Sequence, residues 1–267
     1  TIATDSTVDI LGAITVTQPL TLTLIGSAEL TLSGSSKITA GAIIAATDGA
    51  GVLTLSGTVT QTAAIGANAA DLGTINVTGA ATTNAAVFSR IVNVSANADF
   101  VNDLNANVIN VTGTNTTFKL GDKALKASGT TSVLTLNATG QKVILDGTDI
   151  ISTNITAATD GHGTLEIDTA ATVAGIIGTS ATVKLGTVDI DAGGIIQNSV
   201  FADNIAIADS QTLTFTGAVE DTVVTAAVDG DAGLDGTVVI NNTADQDHAI
   251  RFLGALGASN ELAAVTL

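Results

Sequence analysis

The chain contains no cysteine, tryptophan, tyrosine or methionine, and a single proline. Without cysteine it has neither disulfide bonds nor thiolate metal sites. Its six phenylalanines are its only aromatic residues, so a core built on a few large rings is excluded. The interior must instead consist of aliphatic layers, which favours a stacked architecture over a compact globule.

Basic residues are also scarce. Eight Lys and Arg stand against 25 Asp and Glu, which gives a formal net charge of −17. Such a surface repels phosphate backbones and anionic lipids, so the sequence predicts no nucleic-acid partner. No apolar run reaches the roughly 20 residues that a membrane-spanning helix requires, so we expect no direct membrane insertion of this segment.

Apolar and polar residues alternate in short bursts along the 267 residues. Each burst fits a period-two strand of about three to five residues, and the apolar positions are mostly Val, Ile and Leu. Clusters of Gly, Asn, Asp and Ser between the bursts favour turns. The bursts are residues 14–16, 20–24, 30–32, 53–55, 75–77, 91–94, 108–111, 134–136, 165–167, 188–190, 205–207, 213–215 and 238–240.

One segment recurs three times. Residues 43–49 (IIAATDG) recur as 155–161 (ITAATDG) and as 224–230 (VTAAVDG), and the copies stay similar downstream. Degenerate repeats of this kind are typical of solenoids whose loops vary. The sequence therefore predicts a single elongated β-repeat domain over 1–267, with related modules near 43–77, 155–190 and 224–267.

A strand-only repeat with an aliphatic stripe can bury that stripe by stacking on copies of itself. The predicted fold is therefore all-β, a parallel β-helix wound as a right-handed solenoid of short degenerate rungs. Tandem antiparallel β-sandwiches use the same strands and turn residues and are the alternative.

Three aspartates of the third copy are candidate calcium ligands. Asp229, Asp231 and Asp235 lie close together in one loop, and Ca²⁺ binds several converging oxygens. Their spacing does not fit an EF-hand loop, and aspartate also serves simply as a turn residue. Calcium ligand and structural turn are both open interpretations, and no other cofactor is predicted.

The sequence predicts no catalytic site. A nucleophilic triad would need a Gly-x-Ser-x-Gly elbow or a cysteine, and the chain has neither. A polysaccharide-active β-helix enzyme is a remote alternative, because the many acids could pair at glycosidase distances. Trp and Tyr platforms for sugar rings are absent, but carboxylates that converge beside Arg90 or a lysine would favour the enzyme.

The recurring Ala-Ala-Thr-Asp-Gly, with the Ile-Gly and Leu-Gly-Thr steps that follow it, resembles the passenger regions of rickettsial surface antigens of the outer membrane protein B type. The resemblance covers the three modules and carries over no catalytic or binding residue. It implies an autotransporter passenger displayed outside the cell, with a separate C-terminal barrel in the outer membrane. Those relatives are associated with surface layers and with attachment to host cells.

We therefore expect a non-catalytic, extracellular structural protein of a bacterial cell surface. Copies would assemble into an envelope coat, surface layer or filament, through the unpaired strand edges at rung ends or by lateral packing. The alternative is an adhesin that binds a receptor on a host or neighbouring cell. A contiguous patch of exposed apolar residues on the loops, such as Phe88, Phe100 or Phe201, would support the adhesin.

Overall fold

Short β-strands make up all of the regular structure in the described chain. The computed structural model describes residues 1–12, 20–36, 38, 41–121, 125–126, 132–148, 150–217, 221–233, 235–242 and 248–267. No helix in this part of the chain is long and apolar enough to cross a membrane. The strands are β1 Thr7–Ile10, β2 Thr21–Leu24, β3 Glu29–Leu32, β4 Ala42–Ala45, β5 Ala50–Leu55, β6 Val59–Gln61, β7 Ala64–Ile65, β8 Leu72–Val77, β9 Ala81–Thr83, β10 Val87–Val94, β11 Ala98–Phe100, β12 Leu104–Val111, β13 Thr117–Leu120, β14 Leu125–Lys126, β15 Val133–Leu136, β16 Lys142–Leu145, β17 Ile150–Ile151, β18 Asn154–Ala157, β19 His162–Ile167, β20 Thr172–Val173, β21 Leu185–Ile190, β22 Gly194–Ile196, β23 Ala202–Ile207, β24 Thr212–Phe215, β25 Thr222–Val224, β26 Ala227–Gly230, β27 Asp235–Ile240, β28 Ile250–Phe252 and β29 Leu262–Thr266.

The chain divides into two compact units, unit 1 (Thr1–Val133) and unit 2 (Leu134–Leu267). In each unit two stacks of parallel strands contain most of the strands, and we call these stacks the first and the second face. In unit 1 the first face holds β1, β3, β5, β8, β10 and β12, and the second holds β6, β9, β11 and β13. In unit 2 the first face holds β16, β19, β21, β23 and β26, and the second holds β17, β20, β22, β24, β27 and β29. The expectation of a single domain over 1–267 stays a prediction.

Strand pairing is parallel in both units. Every registered pair of named strands is parallel, for example β5 with β8, β10 with β12 and β19 with β21. Among the described residues the antiparallel contact is one isolated bridge between Ser180 and Val183. The all-β, parallel β-helix class is therefore confirmed, and the alternative of tandem antiparallel β-sandwiches is wrong.

The core consists of straight columns of aliphatic side chains. Because strand side chains alternate and successive coils pair in register, an inward residue on one coil stacks on an inward residue of the next. Leu53 pairs with Ile75, 22 residues later, and Ile75 pairs with Val92, 17 residues later. One such column, fully buried throughout, runs Leu30, Leu53, Ile75, Val92 and Ile109.

The predicted bursts lie in strands wherever the structure describes them. Residues 53–55, 165–167 and 188–190, for instance, are the ends of β5, β19 and β21. The burst at 14–16 lies outside the described residues.

The third copy of the repeat is shifted by one face. In the second copy, Gly163 lies on β19 and therefore on the first face of unit 2. Its sequence counterpart Gly236 lies on β27, on the second face, because an extra strand, β26, precedes it on the first face. Both glycines keep positive φ angles, 78° and 68°, so the local turn is retained although its place in the coil is not.

Candidate functional site: an acidic face of unit 2

The first face of unit 2 carries a column of acids on its outer side. Leu165 and Ile167 of β19 are fully buried, so the residue between them, Glu166, points outward. The same alternation in β21 turns Asp189 outward. Glu166 and Asp189 are register partners, so parallel pairing stacks two carboxylates on adjacent coils.

Two further aspartates directly follow these strands. Asp168 and Asp191 donate their backbone N–H groups to the preceding coil, which continues the parallel ladder past the strand ends. In the described part of the chain, carboxylate oxygens of Glu166, Asp189 and Asp191 all lie within 4.8 Å of one another. We call Glu166, Asp168, Asp189 and Asp191 the acidic cluster.

The acidic cluster contains carboxyl groups that bind protons unusually tightly. Burial raises the pKa of Asp189 above its ordinary value, and the charges of Asp191 and Glu166 raise it further. Burial also raises the pKa of Asp168, and the charge of Glu166 and a hydrogen bond with it act in the same direction. The repulsion between these carboxylates on successive coils is thus only partly compensated by neighbouring positive charge.

One cation contacts this cluster within the described residues. Lys142, on β16, forms an ion pair with Glu166, whose side chain is almost completely buried. The hydrogen bond with Glu166 raises the pKa of Lys142 and so favours its protonated form. Chemically, the cluster offers several hard oxygen ligands and carboxyl groups with raised pKa values.

The predicted calcium ligand Asp229 lies in the same outward column as Asp189, with Ala206 of β23 between them. Asp229 is buried, and its Oδ1 accepts a hydrogen bond of 3.1 Å from the backbone N–H of Ser259. This contact ties β26 to the loop of the following coil. Asp229 therefore has a structural contact of its own.

Asp231 and Asp235 lie on either side of a turn. Oδ2 of Asp235 accepts a hydrogen bond of 3.0 Å from the backbone N–H of Ala232, whereas Asp231 is exposed. Among the described residues, Asp229, Asp231 and Asp235 do not form a group whose carboxylate oxygens all lie within 4.8 Å. Calcium at these three positions stays a prediction, and the hydrogen bonds of Asp229 and Asp235 are those of turn residues.

The aspartate shared by the three repeat copies has one structural role. In each copy its Oδ1 accepts a hydrogen bond from a backbone N–H of the next coil. The pairs are Asp48 with Asp71 N–H at 3.0 Å, Asp160 with Lys184 N–H at 2.8 Å and Asp229 with Ser259 N–H at 3.1 Å. The aspartate of each repeated Asp-Gly therefore links its coil to the next one by a hydrogen bond, which is a structural reason for the repeat.

The two arginines form ion pairs with other aspartates. Arg90 forms a 3.0 Å ion pair with Asp48, and its hydrogen bond lowers the pKa of Asp48. Arg251 contacts Asp221 at 2.7 Å, and the pKa of Asp221 is lowered mainly by the backbone N–H of Ala249. The cation beside converging carboxylates is thus a lysine, Lys142.

The phenylalanine patch expected for an adhesin does not form as predicted. Phe100 is fully buried and packs edge to face on Phe118, with ring centroids 5.4 Å apart. Phe88 and Phe201 are half-buried and belong to different units. Phe100 does not contribute to an exposed patch, because its strand β11 turns it inward.

Sequence reasoning missed the acidic cluster, although a signal for it existed. Leu165-Glu166-Ile167-Asp168 and Val188-Asp189-Ile190-Asp191 share the same alternation of apolar and acidic residues. Stacking those two segments as consecutive coils would have brought the four acids together. The acids lie on two segments more than twenty residues apart, so they do not stand out in any single loop of the sequence. Compared with protein-family models, with curated proteins and with solved structures, the chain has no match.

Proposed function

We propose that this chain is a non-catalytic structural protein of a bacterial cell surface, displayed outside the cell, which assembles into an envelope coat, surface layer or filament. Its long parallel ladders and aliphatic columns support a mechanical role, because such stacks are stiff and add material in one dimension. The resemblance to surface-antigen passengers supports the extracellular location.

The observation that carries the proposal is the continuity of the parallel stack. One fully buried aliphatic column runs through five successive strands of unit 1, and each strand pairs in register with the next. A second copy would extend such a ladder in the same way as one coil follows the next inside the molecule.

The test is negative-stain electron microscopy of the full chain at increasing concentration. We expect filaments or sheets from the wild type and their loss in Val265→Lys, because Val265 pairs with the fully buried Val238 yet is 46% exposed. Ile91→Lys is the matched control, because Ile91 is 37% exposed on an outer sheet face of unit 1. Dispersed particles from the wild type at every concentration would contradict assembly and would leave the adhesin as the better hypothesis.

The second candidate function is a polysaccharide-active enzyme, and the acidic cluster is the observation that favours it. Carboxylates converge beside Lys142, and the raised pKa of Asp189 suits a group that donates a proton. Against it, Glu166 is already bound to Lys142, and the chain has no Trp or Tyr to hold a sugar ring.

An activity assay separates the two functions. The full chain would be incubated with neutral and acidic polysaccharides, and new reducing ends or unsaturated products would be measured. Cleavage that is lost in Asp189→Asn but kept in Asp209→Asn, an exposed aspartate elsewhere in unit 2, would establish the enzyme. We expect no cleavage by any of the three proteins.

A further inference from the structure

We infer that Gln61 and Thr83, on the inner side of the second face of unit 1, bind a water molecule inside the stack of strands. The two residues lie on β6 and β9 and are register partners. The site is internal, and its ligand is one water molecule held by an amide and a hydroxyl group. The inference does not depend on the proposed function, because assembly plays no part in it.

Both side chains are shielded from solvent. Gln61 is 0% exposed and Thr83 is 1% exposed. Strand alternation turns them inward, since Thr60, the residue before Gln61, is exposed. On the next two strands of this face, the register partners of Thr83 are Phe100 and then Leu120. The inward column therefore has two polar members followed by two apolar ones.

One hydrogen bond orients the amide of Gln61. Its Oε1 accepts the backbone N–H of Ile38 at 3.1 Å. The reversed amide would place its NH₂ group against another donor, so the assignment of oxygen and nitrogen is fixed. Nε2 of Gln61 therefore points to another part of the interior. Among the described residues, neither this Nε2 nor Oγ1 of Thr83 has a hydrogen-bond partner.

Two buried polar atoms without partners on adjacent strands call for a ligand. Such atoms are rare in folded proteins, because the hydrogen bonds that they lose to bulk water are not replaced. Nε2 of Gln61 can only donate, whereas the hydroxyl of Thr83 can both donate and accept. A water molecule can bond to both groups at once, and buried waters typically bridge groups of this kind.

The surroundings of the pair suit water better than an ion. The buried residues next to the pair along the chain are small, with Ala63 two residues after Gln61 and Ala81 two residues before Thr83. A polar site beside small side chains offers a water molecule both space and partners. Both groups are neutral, so an ion would lose its hydration shell without gaining a compensating charge.

The test is magnetic relaxation dispersion of the water oxygen nuclei in a solution of the full chain, which counts slowly exchanging internal waters. Globular proteins hold about one buried water per 27 residues, so the difference between variants is the informative quantity. We expect Thr83→Val to lose one such water and Thr83→Ser, which retains the hydroxyl, to keep it. Gln61→Met should lose the same molecule, so the double substitution with Thr83→Val loses one water and not two.

Ser89→Ala is the matched control in unit 1. Ser89 is fully buried, but its hydroxyl already has partners in the protein, the carbonyl oxygens of Leu72 at 3.2 Å and of Ile91 at 2.9 Å. Removing this hydroxyl should leave the number of slowly exchanging waters unchanged.

Urea denaturation adds a measurement whose sign is decisive. If a water binds Thr83, Thr83→Val removes satisfied hydrogen bonds, and the equilibrium constant for unfolding should rise by roughly five- to tenfold. If the hydroxyl has no partner, valine removes only an uncompensated polar group and should make the protein more stable. Either an unchanged water count or a higher stability in Thr83→Val overturns the inference.

Discussion

At the scale of single residues, substitutions of Asp229 distinguish between its two interpretations, a turn residue and a metal ligand. Its Oδ1 accepts the N–H of Ser259, and asparagine can make the same contact through its amide oxygen. Asp229→Asn should therefore retain the stability of the wild type, whereas Asp229→Ala leaves a backbone donor without its acceptor. We expect Asp229→Ala to lower the free energy of unfolding by about 1 to 2 kcal/mol.

Urea denaturation with and without millimolar calcium measures both effects. If Asp229 is only a turn residue, calcium should not change the free energy of unfolding of the wild type. A calcium-induced gain in stability that disappears in Asp229→Asn would instead identify Asp229 as a ligand, because that substitution removes the charge and keeps the hydrogen-bond acceptor.

Asp189 makes stability depend on pH in a defined direction. Its pKa is raised in the folded protein above the ordinary value of 3.8, so the folded chain binds the proton more tightly than the unfolded chain does. Ionisation of Asp189 therefore costs stability as the pH rises from about 3.8 through the raised pKa. Asp189→Asn should melt at a higher temperature than the wild type at pH 7.

The advantage of Asp189→Asn should vanish near pH 4, where the aspartate of the folded wild type is protonated. Thermal unfolding followed by circular dichroism across this range checks the prediction. Asp209→Asn serves as the control on the surface of the same unit. An equal melting temperature for Asp189→Asn and the wild type at pH 7 would show that Lys142 neutralises the cluster fully.

At the scale of strands, an asparagine ladder joins β8, β10 and β12. Nδ2 of Asn93 donates to Oδ1 of Asn76, and Nδ2 of Asn110 donates to Oδ1 of Asn93, each at 3.0 Å. The three residues are register partners on the outer first face of unit 1. The ladder works because parallel pairing places identical amides one coil apart.

Asn93→Ala removes the central member and breaks both side-chain hydrogen bonds. We expect a loss of about 1 to 2 kcal/mol in the free energy of unfolding, since two half-buried amides each lose a partner. Thr74→Ala, a change on the same outer face, should cost less. Equal losses for the two substitutions would mean that the ladder contributes nothing beyond side-chain packing.

Strands and stacking could be predicted from the sequence, whereas contacts between coils could not. The alternation at 165–167 and 188–190 is local, so it identifies β19 and β21 directly. The coil spacing varies between 22 and 17 residues within unit 1, so the partner of a given residue cannot be read from a fixed period. The acidic cluster and the asparagine ladder both depend on that pairing.

The third repeat copy illustrates the same limit at the scale of an element. Its match to the second copy is a match of local turns, and Gly236 keeps the positive φ that this turn requires. Residues 227–230 form the extra strand β26, the insertion follows that strand, and the next strand, β27, lies on another face. Local similarity preserves backbone geometry and does not preserve position around the coil.

At the scale of the whole molecule, charge opposes both folding and assembly. A formal charge of −17 produces repulsion within the folded chain and between copies. The Debye length falls from about 30 Å at 0.01 M salt to about 3 Å at 1 M. Raising NaCl over this range should therefore raise the melting temperature and promote association together.

Light scattering recorded during thermal unfolding measures both quantities in one experiment. The gain in melting temperature should shrink in a variant that combines Asp168→Asn, Asp189→Asn and Asp191→Asn, because part of the repulsion is already removed. A melting temperature that falls with salt would contradict this account. It would mean that ion pairs such as Arg90 with Asp48 and Lys142 with Glu166 stabilise the fold more than the acidic surface destabilises it.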